Sequence, residues 1–154
     1  RSTHCISSAA SDVYKRQSLE YPDEKVRRFF GLDEEGKAGT LCLKLERVRG
    51  HAEYPFVVFI SYFNPRFPIS SDDNFTMPLY ELLETKYNIV VHTSVEEISA
   101  RLAGKRISTK LRISENDPIL IRRRYVYDIK GVPVEYNVGY YRADSFTYTI
   151  TAER

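Results

Sequence analysis

Leu41-Cys-Leu-Lys-Leu-Glu-Arg-Val-Arg49, a turn over Gly50 to Tyr54, and Pro55-Phe-Val-Val-Phe-Ile-Ser-Tyr-Phe63 form the stretch whose reading decides the fold. Leu41, Leu43 and Leu45 alternate with polar or small residues, the period of a strand with one buried face. The return segment is apolar almost throughout, so the pair reads as a β-hairpin with a loop longer than the tightest turns. The pattern recurs downstream. Ile119, Ile121 and Arg123 lead to Tyr125 and Tyr127, Asp128 to Val132 turns, and Pro133 to Tyr141 returns. The two hairpins align without a gap, each position shifted by 78 (Pro55 to Pro133, Tyr62 to Tyr140). Both prolines fall at the start of the second strand, where a missing ladder donor is tolerated.

A short helix is expected before each hairpin. Asp23 to Phe30 sets Val26, Phe29 and Phe30 at helical spacing and ends on Gly31, a cap residue. Ala103 to Leu111 sets Ile107 and Leu111 four apart. One helix-plus-hairpin unit thus occurs twice. Between the copies, Asn64 to Phe75 is polar and proline-bearing, a loop. Pro78 then opens a helix whose Leu79, Leu82, Leu83 and Tyr87 form an apolar face. Ile89, Val91, Thr93 and Val95 alternate as a further strand. The sum is an α+β layer fold, an antiparallel sheet of about six strands with helices packed against it.

The chain has 154 residues, enough for one domain with its own core. Residues 1–17 lack hydrophobic periodicity and the apolar stretch of a signal peptide. Asp12 to Gln17 back-translates to a string resembling the transposon end of sequencing adaptors. The segment is therefore expected to be a non-native or disordered tail outside the fold, which would run over 18–154. With a net charge of +2 and interleaved signs, strong attraction to nucleic acid or membrane surfaces is not expected. No apolar run approaches the roughly 20 residues of a spanning helix. The two cysteines, Cys5 and Cys42, fit neither a metal site nor a disulfide framework, which suits a reducing cytoplasm. Cys42 reads as a small buried hydrophobe.

No catalytic motif is present: no phosphate loop, nucleophile elbow or zinc spacing. His4, His51 and His92 stand apart from one another. No cofactor or metal is expected. Arg47 and Arg49 share a strand face, two guanidinium forks suited to clamping phosphate or carboxylate; taken by itself, the spacing is more commonly that of a solvated face paired with Glu46 or Glu53. Glu135 interrupts an apolar strand, and Tyr141, six residues on, shares its face. Both suit hydroxyl or amine recognition, and both suit a plain surface. Arg122-Arg123-Arg124 splits across two faces, which fits an interface strand or a nucleic-acid contact.

Leu45-Glu-Arg-Val-Arg49, Met77-Pro-Leu-Tyr-Glu-Leu-Leu-Glu84, Ile119-Leu-Ile-Arg-Arg-Arg124, Tyr127-Asp-Ile-Lys-Gly-Val-Pro-Val-Glu135 and Tyr140-Tyr-Arg-Ala-Asp144 resemble successive blocks of the UTRA domain. That is the effector-binding domain of the HutC-like branch of GntR-family regulators. The resemblance implies a chorismate-lyase-like fold, a homodimer of sensor domains, and an N-terminal winged helix-turn-helix, absent here, that would contact DNA. It implies a small anionic effector, such as a sugar phosphate or carboxylate, held by Arg47 and Arg49, with Tyr80, Glu135 and Tyr141 around it. Two positions depart from the pattern: Pro78 stands where a phosphate-touching serine is common, and Phe59 where a glutamate is. The competing readings are a chorismate-lyase-like enzyme and a binding domain without regulatory role.

Overall fold

In the computed structural model, which describes residues 11–34, 36–37, 39–51 and 53–154, the quoted hairpins form the middle of one sheet. The first joins β2 (Cys42–His51) to β3 (Tyr54–Phe63), and the second joins β5 (Pro118–Asp128) to β6 (Pro133–Arg142). Their return strands lie side by side, antiparallel, with Ile60 opposite Val138. Val138 is also the counterpart of Ile60 under the 78-residue shift. The duplication is therefore a spatial dyad passing between these two residues.

The repeat is larger than a helix plus a hairpin. β1 (Ser11–Glu20), α1 (Glu24–Phe30), β2 and β3 make one unit; β4 (Val91–Leu102), α3 (Gly104–Leu111), β5 and β6 make the other. The strand order β1-β2-β3-β6-β5-β4 follows from the dyad, with all neighbours antiparallel. Residues 11–17, expected outside the fold, belong to β1, while 1–10, with His4 and Cys5, lie outside the described residues. The reason is physical. An edge strand is held by backbone bonds to one neighbour and need not alternate, and Val13, Tyr14 and Leu19 stay exposed. Two ion pairs bracket the contact, Asp12 with Arg49 at 3.4 Å and Glu20 with Lys44 at 3.2 Å.

Each face of the sheet carries its own layer. On one side α1 and α3 cover Cys42, Val48, Val58, Ile60, Ile121 and Val138 with Val26, Phe30, Ile107 and Leu111. Asp23 caps α1 by accepting a bond from the Val26 amide at 3.1 Å, and Gly31 closes it in the left-handed conformation, a cap of the kind that contributes about 1 kcal/mol. On the other side lie α2 (Leu79–Tyr87) and the loop leading into it. Leu43, Leu45 and Phe63 meet Phe75 and Leu82 there. The loop is pinned at both ends. Asn64 donates to the Pro133 carbonyl at 2.8 Å, and the buried Asp73 carboxylate accepts from the Ser70 amide at 2.9 Å, from Lys86 and from the Tyr87 hydroxyl. No helix among the described residues is long and apolar enough to cross a membrane.

Candidate functional site

Strand parity selects what this second face presents. Leu43 and Leu45 on β2 sit beneath α2 and the loop, and the same alternation then brings Arg47 and Arg49 past the end of that apolar patch. Between sheet and loop lies a cavity of about 440 Å³, open to one side. Its floor holds Arg47 and Arg49 from β2, Phe59 and Ser61 from β3, Glu135 and Asn137 from β6, and Arg124 from β5. Its roof is the segment from Phe75 to Tyr80, and Asp12 of β1 stands at its rim.

The arginines are poised rather than satisfied. Arg47 donates through Nη2 to the Phe75 carbonyl at 2.9 Å, but its Nε is buried with no hydrogen-bond partner. Burial pushes this guanidinium's pKa down, Arg49 adds to the effect, and Asp12 and Glu135 oppose it. The Arg49 Nε also lacks a well-formed hydrogen bond, the Asp12 carboxylate lying 3.4 Å away. Above them α2 begins at Pro78 with no side chain capping its first amides. An uncapped helix start facing two cations is a place where an anion is favoured from both sides.

At the other end of the cavity sits Glu135, only 2% exposed. Burial drives its carboxyl pKa up, against a lowering pull from Ser61, Arg124, Arg47 and Tyr80. The Tyr80 hydroxyl lies 3.5 Å from it, and burial raises that phenol in turn. Asn137 donates to the Ser61 hydroxyl oxygen at 2.8 Å, which leaves the Ser61 proton free to turn toward Glu135. Arg124 stacks its guanidinium 5.8 Å from the Tyr80 ring centre and holds Glu96 of β4 at 3.2 Å. The cavity thus has a cationic end and a buried acidic acceptor. It suits a small molecule carrying an anion and a hydroxyl or ammonium group.

Four of the five residues singled out in the sequence, Arg47, Arg49, Tyr80 and Glu135, come together in this cavity. Tyr141 does not line it. Its side chain shares the face of Glu135 but is buried between Phe146, stacked at 4.2 Å, and the edge of Phe59 at 5.8 Å. It crosses the space above Gly139, where a Cβ would meet its ring at 2.6 Å. Its part is to back the Phe59 wall. The two departures, Phe59 and Pro78, both line the cavity and make that end more apolar. Arg124, Ser61, Asn137 and Asp12 escaped the sequence reading. Arg124 was within reach, since β5 pairs it with Asn137, two residues from Glu135 and on its face. The three-arginine run does not form an exposed basic patch: Arg122 is buried against Glu96, which Arg124 shares. Among the described residues no group of His, Cys, Asp or Glu is arranged to hold a metal.

The UTRA domain profile matches residues 11–147. Among solved structures, a GntR-family transcriptional regulator from Enterococcus faecalis V583 superposes with a TM-score of 0.76 at 23% identity, over 94% of this chain and 100% of that one. The effector domain of PhnF from Mycobacterium smegmatis gives 0.77 at 22% identity, over 94% of this chain and 86% of that one. In the whole PhnF chain the match covers 62% of its length, with a TM-score of 0.76 at 22% identity and 94% of this chain. At these identities the likeness is one of fold. No curated protein matches the sequence.

Proposed function

This chain belongs to the UTRA domain family, and on that footing we propose that it is the effector-sensing domain of a GntR-type transcription regulator of the HutC-like branch. It works as a homodimer in the cytoplasm, and DNA is read by a winged helix-turn-helix domain outside this sequence. The chain is not an enzyme. Its ligand is a small anion, a sugar phosphate or a carboxylate, whose charged group sits against Arg47 and Arg49 beneath the start of α2. A hydroxyl or ammonium of the same ligand reaches Glu135 and Tyr80. The observation that carries this reading is that the buried Nε groups of Arg47 and Arg49 face one cavity without a hydrogen bond, Arg49 having only the rim carboxylate of Asp12 at 3.4 Å as an ionic partner. Buried donors of this kind are otherwise costly, and an incoming anion offsets that cost.

Sensing requires the ligand to prefer one arrangement of the dimer over another. A typical coupling of about 1 to 3 kcal/mol changes operator affinity 5- to 150-fold. Phe59 and Pro78 favour an anion with an apolar portion over a heavily hydroxylated one, because neither offers a polar contact. The test is thermal melting with phosphate, sulfate, sugar phosphates and small carboxylates, since binding to the native state alone raises the midpoint. A shift that disappears in Arg49→Met supports the reading. Absence of a shift with every anion removes it.

A further inference from the structure

Among the described residues, four buried side-chain polar atoms lack a hydrogen bond, and three of them are the Nε groups of Arg47, Arg49 and Arg124. All three arginines line one cavity. An anion on Arg47 and Arg49 leaves the third unaccounted for. Arg124 stands on β5 in line across the sheet with Asn137 of β6 and Ser61 of β3. Those two neighbours are bonded to each other at 2.8 Å. The Arg124 guanidinium meets Glu96 at 3.2 Å without a well-formed hydrogen bond. It reaches the Ser94 hydroxyl only at 3.5 Å and lies 5.8 Å from the centre of the Tyr80 ring.

Glu96 does not neutralise this cation alone. Its carboxylate already accepts from Arg122 through Nε at 3.1 Å and through Nη2, and Arg122 is the more deeply buried of the two arginines. Two guanidinium groups thus share one carboxylate, which leaves a positive charge at this wall of the cavity. Glu135 acts on Arg124 only through space; the groups bonded to its carboxyl are the Ser61 and Tyr80 hydroxyls. Burial also pushes Glu135 toward its neutral form. A cation left over in a poorly solvated wall is costly until a counter-ion reaches it.

Resting on the sensor reading above, we propose that Arg124 is a second anion-binding residue of this cavity, and that the ligand is a short hydroxy acid carrying two separated anionic groups. One group, a phosphate or a carboxylate, sits on Arg47 and Arg49. The other is a carboxylate on the planar fork of Arg124, which matches its geometry. The hydroxyl between them reaches Glu135 and Tyr80. The spacing suits such a molecule. β3 and β6 separate β2 from β5, so the strands carrying the cations stand three spacings, or about 14 Å, apart. Arginine side chains reaching in from both strands leave a gap that a short carbon chain spans, within the cavity of about 440 Å³. An ammonium group at the Arg124 end would instead meet a like charge.

Matched ligands test this by calorimetry at fixed ionic strength. α-Glycerophosphate and phosphoglycerate esterified on its terminal oxygen share a phosphate and the neighbouring hydroxyl, and only the second has a carboxylate. β-Hydroxybutyrate and malate differ in the same way, methyl against carboxylate. In at least one pair the added carboxylate is expected to tighten binding about tenfold, the worth of one charge-assisted contact. In Arg124→Gln that ratio is expected to fall to about one. Arg124→Lys keeps the charge without the fork and is expected to retain a reduced preference; it also serves where the Gln variant does not fold, which melting in plain buffer reveals. An undiminished ratio in whichever variant folds overturns the assignment to Arg124. Equal affinities within both pairs in the parent overturn the second anion site and leave the sensor reading standing, since the singly anionic members still bind. Silence from all of these compounds and from inorganic phosphate overturns both.

Discussion

Replacing Arg47 by Met separates a ligand-binding arginine from a structural one. The guanidinium gives the fold one hydrogen bond, to the Phe75 carbonyl at 2.9 Å. Against that stand a buried Nε with no partner and a desolvated charge beside Arg49. A charged hydrogen bond is worth about 1.5 to 3 kcal/mol, and losing it is offset by removing the unpaired charge. Met also keeps most of the apolar volume, so stability is expected to move by less than about 1 kcal/mol. Anion affinity has no such compensation. Losing about 2 kcal/mol of charge-assisted bonding weakens it roughly 30-fold. With inorganic phosphate at about 100 times the parent's Kd, binding stabilises the parent by about 2.7 kcal/mol and the variant by about 0.9 kcal/mol. For a domain of this size 1 kcal/mol corresponds to about 3 to 4 °C, so the variant's phosphate-induced rise in Tm should be smaller by about 6 °C. Equal shifts in parent and Arg47→Met, with a lower Tm for the variant in plain buffer, would refute the reasoning and make Arg47 a clamp for the Phe75 loop.

Asp12 faces Arg49 from the cavity rim at 3.4 Å, so it occupies part of the space an anion needs. Asp12→Asn is expected to tighten phosphate binding a few-fold, measured by calorimetry at fixed ionic strength. The Glu135 carboxyl is raised by burial, so the folded chain keeps its proton to higher pH than the unfolded one. Stability contributed at this site therefore falls as pH climbs from about 4.5 through the raised value. Urea midpoints over that range should decline relative to Glu135→Gln, and parallel profiles would count against the assignment. Asp73 behaves oppositely. Although burial alone would raise it, Lys86, Tyr87 and the Ser70 amide hold its carboxyl low. Its contribution is present above about pH 4 and lost as pH falls through the lowered value. Asp73→Ala should cost about 2 kcal/mol at neutral pH, read as a lower denaturation midpoint, and should also weaken phosphate binding by loosening the roof.

The hairpins were legible because Leu43 and Leu45 keep the period of two and are buried, although Leu41 precedes β2 and stays exposed and the opposite face of β2 is covered as well, through Cys42 and Val48. Asp23 and Gly31 marked the ends of α1 for equally local reasons. The two edge strands read poorly. β1 gains its place from backbone bonds to β2, which any sequence without proline supplies. β4 is exposed on both faces over most of its length, so no burial pattern reaches past Val95, and the alternation seen from Ile89 onward caught only its first part. The dyad relating the units supplies what periodicity could not. Once β2 and β3 are matched to β5 and β6, the strand before α3 requires a counterpart before α1, and residues 11–20 are what precedes α1.

The site divides along the same line. Arg47 and Arg49 are adjacent in one strand, so parity alone placed them together. Glu135 and Tyr80 are 55 positions apart, and nothing local predicts that α2 folds over β6; the resemblance supplied that link. Tyr141 shows where such transfer stops, because parity fixed its face but not its side-chain direction. The Tyr141 ring packs against Phe59 and Phe146 and does not line the cavity. Placing an acid at 59 tests what this aromatic wall does. In Phe59→Glu the tyrosine ring loses its edge contact, while the new carboxylate lies opposite Arg47 in the β2–β3 register. Phosphate affinity should fall, because Arg47 gains an internal partner, and affinity for an ammonium-bearing anion should fall less. A uniform loss across both probes would mean that residue 59 shapes the cavity without selecting among ligands.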